Sequence, residues 1–236
     1  MHISSPGSGL RKVLLRLPGT RRKSGCFQSG CSLIQTENNT EMNAMLNTPL
    51  LMKTSFEIGN PEFLLTKLDY PERLDEMGAL RVAAWKEEQG VSKEFFSHKF
   101  WLDDEDLLAH HWVITHNKVI VAAARMSFHK EYSAVPHADL FDEALLGRFA
   151  EGPFASLNRL VVAPEYRGKG FSGILDHARI RFAETQGARS IIAQPIASRI
   201  KPLEDLGFEY LGKIRPLYQM PERQIYFMIK ELNPRN

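Results

Sequence analysis

Residues 162–173 read VAPEYRGKGFSG and lie between an apolar run and a segment with helical periodicity. Glycine at positions 168, 170 and 173 leaves room for another molecule to approach the backbone, because glycine has no Cβ. Two cations, Arg167 and Lys169, lie among these glycines. The start of the following helix adds unpaired N–H groups and the positive end of the helix dipole. The stretch therefore predicts a site for an anion, and a phosphate group is the expected guest.

Two common phosphate-binding motifs do not fit this loop. A P-loop needs Ser or Thr after its lysine and a glycine five positions before it, whereas Lys169 is followed by Gly170 and position 164 is proline. Residues 168–173 match the dinucleotide pattern G-x-G-x-x-G, but five residues separate them from the preceding strand. The next predicted strand also ends without an acidic residue to bind a ribose. Both motifs are excluded.

The order of strands and helices predicts an α/β fold of the mixed α+β kind, with helices flanking a central sheet. Apolar patterns indicate strands at residues 63–68, 111–115, 119–126, 156–162, 189–194, 208–214 and 224–230. Helical periodicity and helix-boundary residues indicate helices from Pro71 to before Gly90, at 93–101, at 140–146, at 174–185 and after Pro202. Residues 156–194 form one β-α-β crossover, which places two parallel strands in the sheet.

The N-terminal residues differ in composition from the rest of the chain. Residues 1–36 contain six Lys or Arg and no acidic residue, which leaves 24 basic and 28 acidic residues in the remainder. We expect residues 1–55 to be a disordered basic tail and residues 56–236 to be the domain. The tail has two interpretations: an organellar targeting segment, or an over-long start upstream of Met42, Met45 or Met52.

Charge and hydropathy exclude two classes of partner for the domain. The net charge of −4 over residues 37–236 argues against a nucleic-acid interface. No segment approaches the roughly 20 apolar residues of a membrane span. We therefore expect neither nucleic acid nor membrane as a partner.

Cysteine and histidine usage limits the chemistry further. Both cysteines lie in the tail, so the domain has neither a disulfide nor a cysteine nucleophile, and we expect a cytoplasmic protein. The histidines at positions 110, 111 and 116 do not predict a metal site. Neighbouring residues of a strand face opposite sides, and no carboxylate or cysteine completes the set. We therefore expect no metal.

The stretch Val-x-Pro-x-Tyr-Arg-Gly-x-Gly, followed by a helix, a strand and residues 206–208 (Leu-Gly-Phe), resembles the GNAT superfamily of acetyl-CoA-dependent N-acetyltransferases. The family pattern is Arg or Gln, two residues, Gly, one residue, then Gly or Ala. It falls here on Arg167, Gly170 and Ser172, and the serine departs from it mildly. The resemblance extends over about residues 62–230. It implies a mostly antiparallel sheet of six to seven strands and direct acetyl transfer from acetyl-CoA to a primary amine, and dimers are common in the family.

The resemblance also implies where the coenzyme binds. Backbone N–H groups of the loop would hold the pyrophosphate, with Arg167 and Lys169 adding charge. The preceding strand would splay at a bulge, pair with the pantetheine arm and polarise the thioester carbonyl. The predicted coenzyme-binding residues are Leu160, Val161, Val162, Arg167, Gly168, Lys169, Gly170, Phe171, Ser172 and Gly173.

The groups expected to transfer protons depart from the family pattern. Many relatives carry a base glutamate where Ser156 stands here, and Asn158 lies on the same strand face. These two are the predicted catalytic residues, and either would at most orient a water that relays the proton. The thiolate-protonating tyrosine of the family corresponds to Leu203. The replacement acids and bases suggested by position are Glu131, His137, Tyr210 and Tyr218.

The acceptor and the acyl donor stay open at this level. Arg125 ends an apolar strand beside the expected acceptor cleft, where it binds a substrate carboxylate or forms a salt bridge with Asp or Glu. A small-molecule amine and a peptide N-terminus both fit as acceptors. Two other functions remain: a non-catalytic acyl-CoA-binding or sensing domain, favoured by Leu203 and the missing glutamate, and an acyltransferase with a longer acyl donor, which needs an apolar tunnel.

Overall fold

A computed structural model, which describes residues 62–68 and 72–232, has seven strands in one mostly antiparallel sheet. The strands are β1 (Phe63–Leu68), β2 (His110–His116), β3 (Val119–His129), β4 (Phe154–Val162), β5 (Ser190–Ala193), β6 (Glu209–Lys213) and β7 (Tyr226–Glu231). Their order across the sheet is β1-β2-β3-β4-β5-β7-β6. Of the neighbouring pairs in these residues, β4 and β5 alone run parallel. The predicted fold class is confirmed.

Three α-helices accompany the sheet: α1 (Leu74–Trp85), α2 (Phe171–Thr185) and α3 (Ile200–Glu204). Short 3-10 segments complete the connections at Phe95–Ser97, Asp104–Leu107, Tyr132–Ala134, Ala138–Leu140, Glu143–Phe149, Pro164–Tyr166 and Ala197–Arg199. No helix in these residues is long and apolar enough to span a membrane. Pro71, the predicted tail over residues 1–55 and the domain boundary after it lie outside the described residues.

The predicted helix over residues 93–101 is wrong, because only the turn Phe95–Ser97 forms there. The backbone of His98 is extended, and the chain turns back after it. The ring centroids of Phe95 and Phe96 then lie 5.5 and 5.2 Å from that of Trp101. The predicted helical patch at 140–146 is likewise a pair of 3-10 turns. Tertiary aromatic packing outweighs local helical propensity in the first of these segments.

Both faces of the sheet are covered, which explains why its central strands are nearly continuous apolar runs. Residues 120–127 of β3 are all buried. On one face, Phe171 and Leu175 of α2 pack against β4 residues such as Leu157. On the other face, α1 packs Met77 against β3, and the connection between β3 and β4 packs Phe141 against Phe227. Alternate residues of β4 therefore face different layers.

We expect Leu175→Ala to lower the free energy of unfolding by about 2–5 kcal/mol, because the side chain is fully buried between α2 and the sheet. Urea denaturation followed by circular dichroism measures this change. Leu108→Ala is the matched control, since Leu108 is 89% exposed, and its effect should stay within about 0.5 kcal/mol. Equal effects of the two changes would contradict this packing.

Candidate active site

The edge of β4 that faces β5 is open in its second half. The parallel pairing of the two strands ends at Leu157 and Ala193, whereas β4 continues to Val162. On its other edge β4 stays paired with β3 as far as Val162. Residues 158–162 therefore have two different edges. One edge borders the cleft that opens between β4 and β5, and the other lies against β3.

A bulge at Arg159 accompanies this divergence. The pairing of β3 with β4 shifts register between Ala123 and Arg125, and Arg159 has a positive φ of 52°. Beyond the bulge, the N–H of Ala163 donates to the carbonyl of Val121 at 2.9 Å, so Ala163 turns toward β3. Because successive residues of a strand turn to opposite edges, the N–H and C=O groups of residues 160 and 162 point toward the cleft.

The glycine loop joins β4 to the N-terminus of α2. Gly168 and Gly170 both have φ of 79°, in the left-handed region that suits glycine, and Gly170 is the N-cap of α2. The first turn of α2 contains no acidic residue, and no side chain caps it. Because the first N–H groups of a helix have no acceptor inside the helix, this end can receive an anion.

A cavity of about 510 Å³ runs along the open edge of β4 and reaches the glycine loop. The predicted coenzyme residues that line it are Leu160, Val161, Val162, Arg167, Gly168, Gly170, Phe171 and Ser172. Lys169 and Gly173 are not among its lining residues. The structure thus gathers eight of the ten predicted residues around one space.

A hydrogen bond joins the two predicted catalytic residues, Ser156 and Asn158, but only one of them lines the cavity. Asn158 lines the cavity, whereas Ser156 does not and is buried. The amide of Asn158 donates to Ser156 Oγ at 3.1 Å, and this oxygen is also 2.9 Å from His129 Nε2. Ser156 therefore contacts Asn158 from behind the cavity wall.

Arg125 is held by acidic groups, which fits the salt-bridge alternative. Its side chain is only 1% exposed. Nε donates to Asn158 Oδ1 at 2.6 Å, Nη2 donates to Glu105 Oε2 at 2.5 Å, and Nη1 donates to Asp103. Asp106 lies 3.2 Å from Nη1 as well. Because its guanidinium is engaged in this way, we do not retain Arg125 as a carboxylate-binding residue.

Arg159 was not predicted as a site residue, yet it lines the cavity at the bulge. Its Nη2 donates to Asp103 Oδ2 at 2.5 Å, and its guanidinium lies 4.1 Å from the ring centroid of Trp101. The buried Nε has no hydrogen-bond partner among the described residues. An arginine within LNRLVV carries no sequence signal of its own, because a bulge cannot be read from alternation.

Two titratable groups near Arg159 have shifted pKa values. Burial alone would raise the pKa of Asp103, but the charges of Arg125 and Arg159 outweigh it and lower the pKa to about 2. Burial lowers the pKa of His137, and the charge of Arg159 lowers it further; Asp139, Glu105 and Asp103 oppose this. The imidazole of His137 is therefore neutral at neutral pH.

Of the four replacement acids and bases suggested by the sequence, His137 lines the cavity. Glu131, Tyr210 and Tyr218 are exposed and are not among the lining residues. Leu203 also lines the cavity, so that position offers no proton there. No group of three or more His, Cys, Asp or Glu side chains in the described part of the chain is arranged to hold a metal.

A buried ion pair on α2, Arg179 with Asp176, contacts the backbone of β3 and β4 at the bulge. Arg179 Nη1 donates to the carbonyls of Arg125 at 2.9 Å and Asn158 at 3.3 Å, and its Nη2 donates to Asp176 at 2.6 Å. The other oxygen of Asp176 accepts from Arg199, at the start of α3. The sequence does carry a signal for Arg179, since it follows Phe171 and Leu175 at four-residue steps within the apolar stripe of α2.

Comparison with known proteins gives a match to the acetyltransferase (GNAT) family over residues 74–205. Similar solved structures include FeeM, an N-acyl amino acid synthase from uncultured soil microbes (12% identity, 72% of this chain and 90% of that chain, TM-score 0.54). The AHL synthase LasI is also similar, with 17% identity over 72% of this chain and 90% of that chain and a TM-score of 0.53. So is a protein from Lactobacillus plantarum assigned as an N-acetyltransferase, with 17% identity over 72% of this chain and 99% of that chain and a TM-score of 0.51. At these identities the likeness shows the fold alone. No curated protein matches the chain.

Asp103→Asn tests whether Arg125 and Arg159 hold this carboxylate ionised. Its folded-state pKa is depressed to about 2. Its ionised form therefore stabilises the fold above about pH 4, and this contribution is lost as the pH falls toward the folded pKa. We expect the variant to be less stable than the unmodified chain near neutral pH and the gap to shrink with acidification, in urea unfolding curves.

Asp104→Asn is the matched control, because Asp104 is an exposed neighbour. Its stability difference should be small and should show no such trend. A gap for D103N that stays constant throughout the acid range would contradict the ion pairing.

Proposed function

The chain belongs to the GNAT acetyltransferase family, whose match covers more than half of it, and we propose that it moves an acetyl group from acetyl-CoA to a primary amine. The transfer is direct, within a ternary complex. A small-molecule amine or a peptide N-terminus is the acceptor.

One arrangement carries this proposal: the open edge of β4 runs straight into the glycine loop and the uncompensated N-terminus of α2, along a single cavity. The loop suits a pyrophosphate, because backbone N–H groups and Arg167 lie at one end of that cavity. The strand suits the pantetheine arm, because its outward N–H and C=O groups offer amide pairing. In this proposal the N–H of Leu160, just past the bulge, polarises the thioester carbonyl.

His137 is the proposed general base. The acceptor enters as an ammonium ion, because ordinary amines have pKa values of about 10, and it gives one proton to the neutral imidazole. The nitrogen lone pair then attacks the thioester carbonyl carbon. The C–N bond forms, the C–S bond breaks, and the second amine proton ends on the departing sulfur.

Asn158 remains the proposed residue for orienting the acceptor or a relay water beside β4. Arg125 and Ser156 fix its amide from two directions, through Oδ1 and Nδ2 respectively. Ser156 thus acts through Asn158 as a positioning residue. Neither side chain exchanges protons itself, since neither titrates near neutral pH.

The test of the proposed function is thiol release from acetyl-CoA and longer acyl-CoA thioesters with a panel of polyamines, amino acids, amino amides and peptides. Turnover with any amine supports an acyltransferase. Coenzyme binding measured by calorimetry without turnover across the panel would instead favour the sensing domain. Absence of coenzyme binding would overturn the assignment of the loop.

We expect Gly170→Val to abolish detectable coenzyme binding by calorimetry while the domain stays folded. The left-handed backbone at this N-cap costs a residue with a Cβ about 1–2 kcal/mol, less than the stability of an ordinary domain. The new side chain also lines the cavity where the pyrophosphate is proposed to bind.

Gly187→Val is the matched control, because Gly187 has a similar φ of 74°, follows the end of α2 and is not a cavity residue. It should carry a similar loss of stability and unchanged coenzyme affinity. Unchanged affinity in G170V would refute this placement of the pyrophosphate.

We expect His137→Gln to lower kcat by about 10²–10⁴, the usual contribution of a general base, with coenzyme affinity unchanged. Because burial lowers the pKa of His137, the native rate should rise with pH through an inflection below its ordinary value. That inflection should disappear in H137Q. His98→Gln, at an exposed histidine outside the cavity, is the control, and an inflection that survives in H137Q would contradict this role.

A further inference from the structure

The charged side chains along the cavity favour an anionic ligand beyond the coenzyme. Six arginines and two carboxylates line it, although the domain as a whole is mildly acidic. Each carboxylate is already shared by two of these arginines: Glu88 by Arg167 and Arg223, and Asp176 by Arg179 and Arg199. A purely cationic acceptor such as a polyamine would therefore find no uncommitted carboxylate among the lining residues.

Arg159 is the lining arginine whose charge is least balanced near the proposed reaction centre. In the described part of the chain it forms an ion pair with Asp103 alone, and Asp103 also binds Arg125. Arg125, by contrast, has Asp103, Glu105 and Asp106 around it. The side chain of Arg159 is 13% exposed, its Nε has no partner among the described residues, and burial and Arg125 lower its pKa.

We propose that Arg159 binds the carboxylate of the acceptor, and that the acceptor is an amino acid with a free carboxylate. A carboxylate in the cavity can reach Arg159, which lines it and whose guanidinium is held by Trp101 and Asp103. Arginine presents N–H groups in a fork that matches a carboxylate. The role that the sequence suggested for Arg125 thus passes to Arg159.

The position of Arg159 suits an α-amino acid in particular. Only one carbon separates the nitrogen from the carboxylate carbon, so a carboxylate bound to the guanidinium of Arg159 keeps the amine close to that side chain, and Leu160 is the next residue of β4. His137 lines the same part of the cavity and lies close enough for the charge of Arg159 to lower its pKa. This inference rests on the proposed acyl transfer, whose base and oxyanion donor are these two neighbours.

The first test uses the unmodified protein, with pairs of amino acids and their carboxamides as acceptors. We expect kcat/KM for the acids to exceed that for the amides by at least about tenfold, the usual worth of a charge-assisted hydrogen bond. Equal rates for acids and amides, or a preference for amides or polyamines, would overturn the carboxylate site and leave the acyl transfer standing.

The second test changes Arg159. Arg159→Gln should lower kcat/KM about 10- to 100-fold more for the acids than for the amides and leave coenzyme affinity unchanged. Arg159→Lys should restore part of the rate with acids, since it keeps the charge without the fork. Arg181→Gln, at an exposed arginine of α2 outside the cavity, should change none of these values. Equal losses for acids and amides in R159Q would contradict a carboxylate-specific role.

Binding separates this inference from the proposed function when no turnover is found. N-acetyl amino acids and their amides are titrated by calorimetry into the protein saturated with coenzyme A. Tighter binding of the acids, lost in R159Q, supports the carboxylate site even if acyl transfer fails. Indistinguishable binding of acids and amides by the native chain would overturn it, whether or not R159Q folds.

Discussion

The divergence of β4 from β5 is the constraint on which the rest of the site depends. A strand in the middle of a sheet normally has both edges paired, because a buried N–H or C=O group without a partner is costly. Here the parallel pairing stops at Leu157 and Ala193, and five further residues of β4 keep one edge open. The fold tolerates this edge because it borders a cavity, where water or a ligand can satisfy the backbone groups.

Holding the two strands apart requires support from outside the sheet. Arg179 reaches from α2 to the carbonyls of residues 125 and 158, at the point where the bulge disturbs the β3–β4 ladder. Asp176 binds Arg179 and also Arg199, which lies beyond β5 on the far wall. The ion-pair network therefore connects both sides of the cleft through α2. Because removing one member of a buried ion pair leaves an unpaired charge, this network resists local rearrangement.

Much of the fold follows from the sequence, because apolar periodicity and glycine positions are local signals. The hairpin at Asn117, the crossover and the loop of residues 167–173 are all of this kind. The length of the turn at Phe95–Ser97 does not follow from local signals, because contacts with Trp101 set it. Arg159 was missed for a similar reason: its direction comes from a bulge, which depends on how β3 and β4 pair.

The same distinction applies to charge. Net charge is a sum over the whole surface, and a value of −4 for residues 37–236 says nothing about a cavity wall that carries six arginines. Those arginines are held there by carboxylates such as Asp103, which stand beside the cavity and compensate part of the charge. Compensation lowers the cost of burying several guanidinium groups together. Asp103 is shared between Arg125 and Arg159, so it compensates each of them only in part. Arg159 therefore keeps the capacity to bind a further anion.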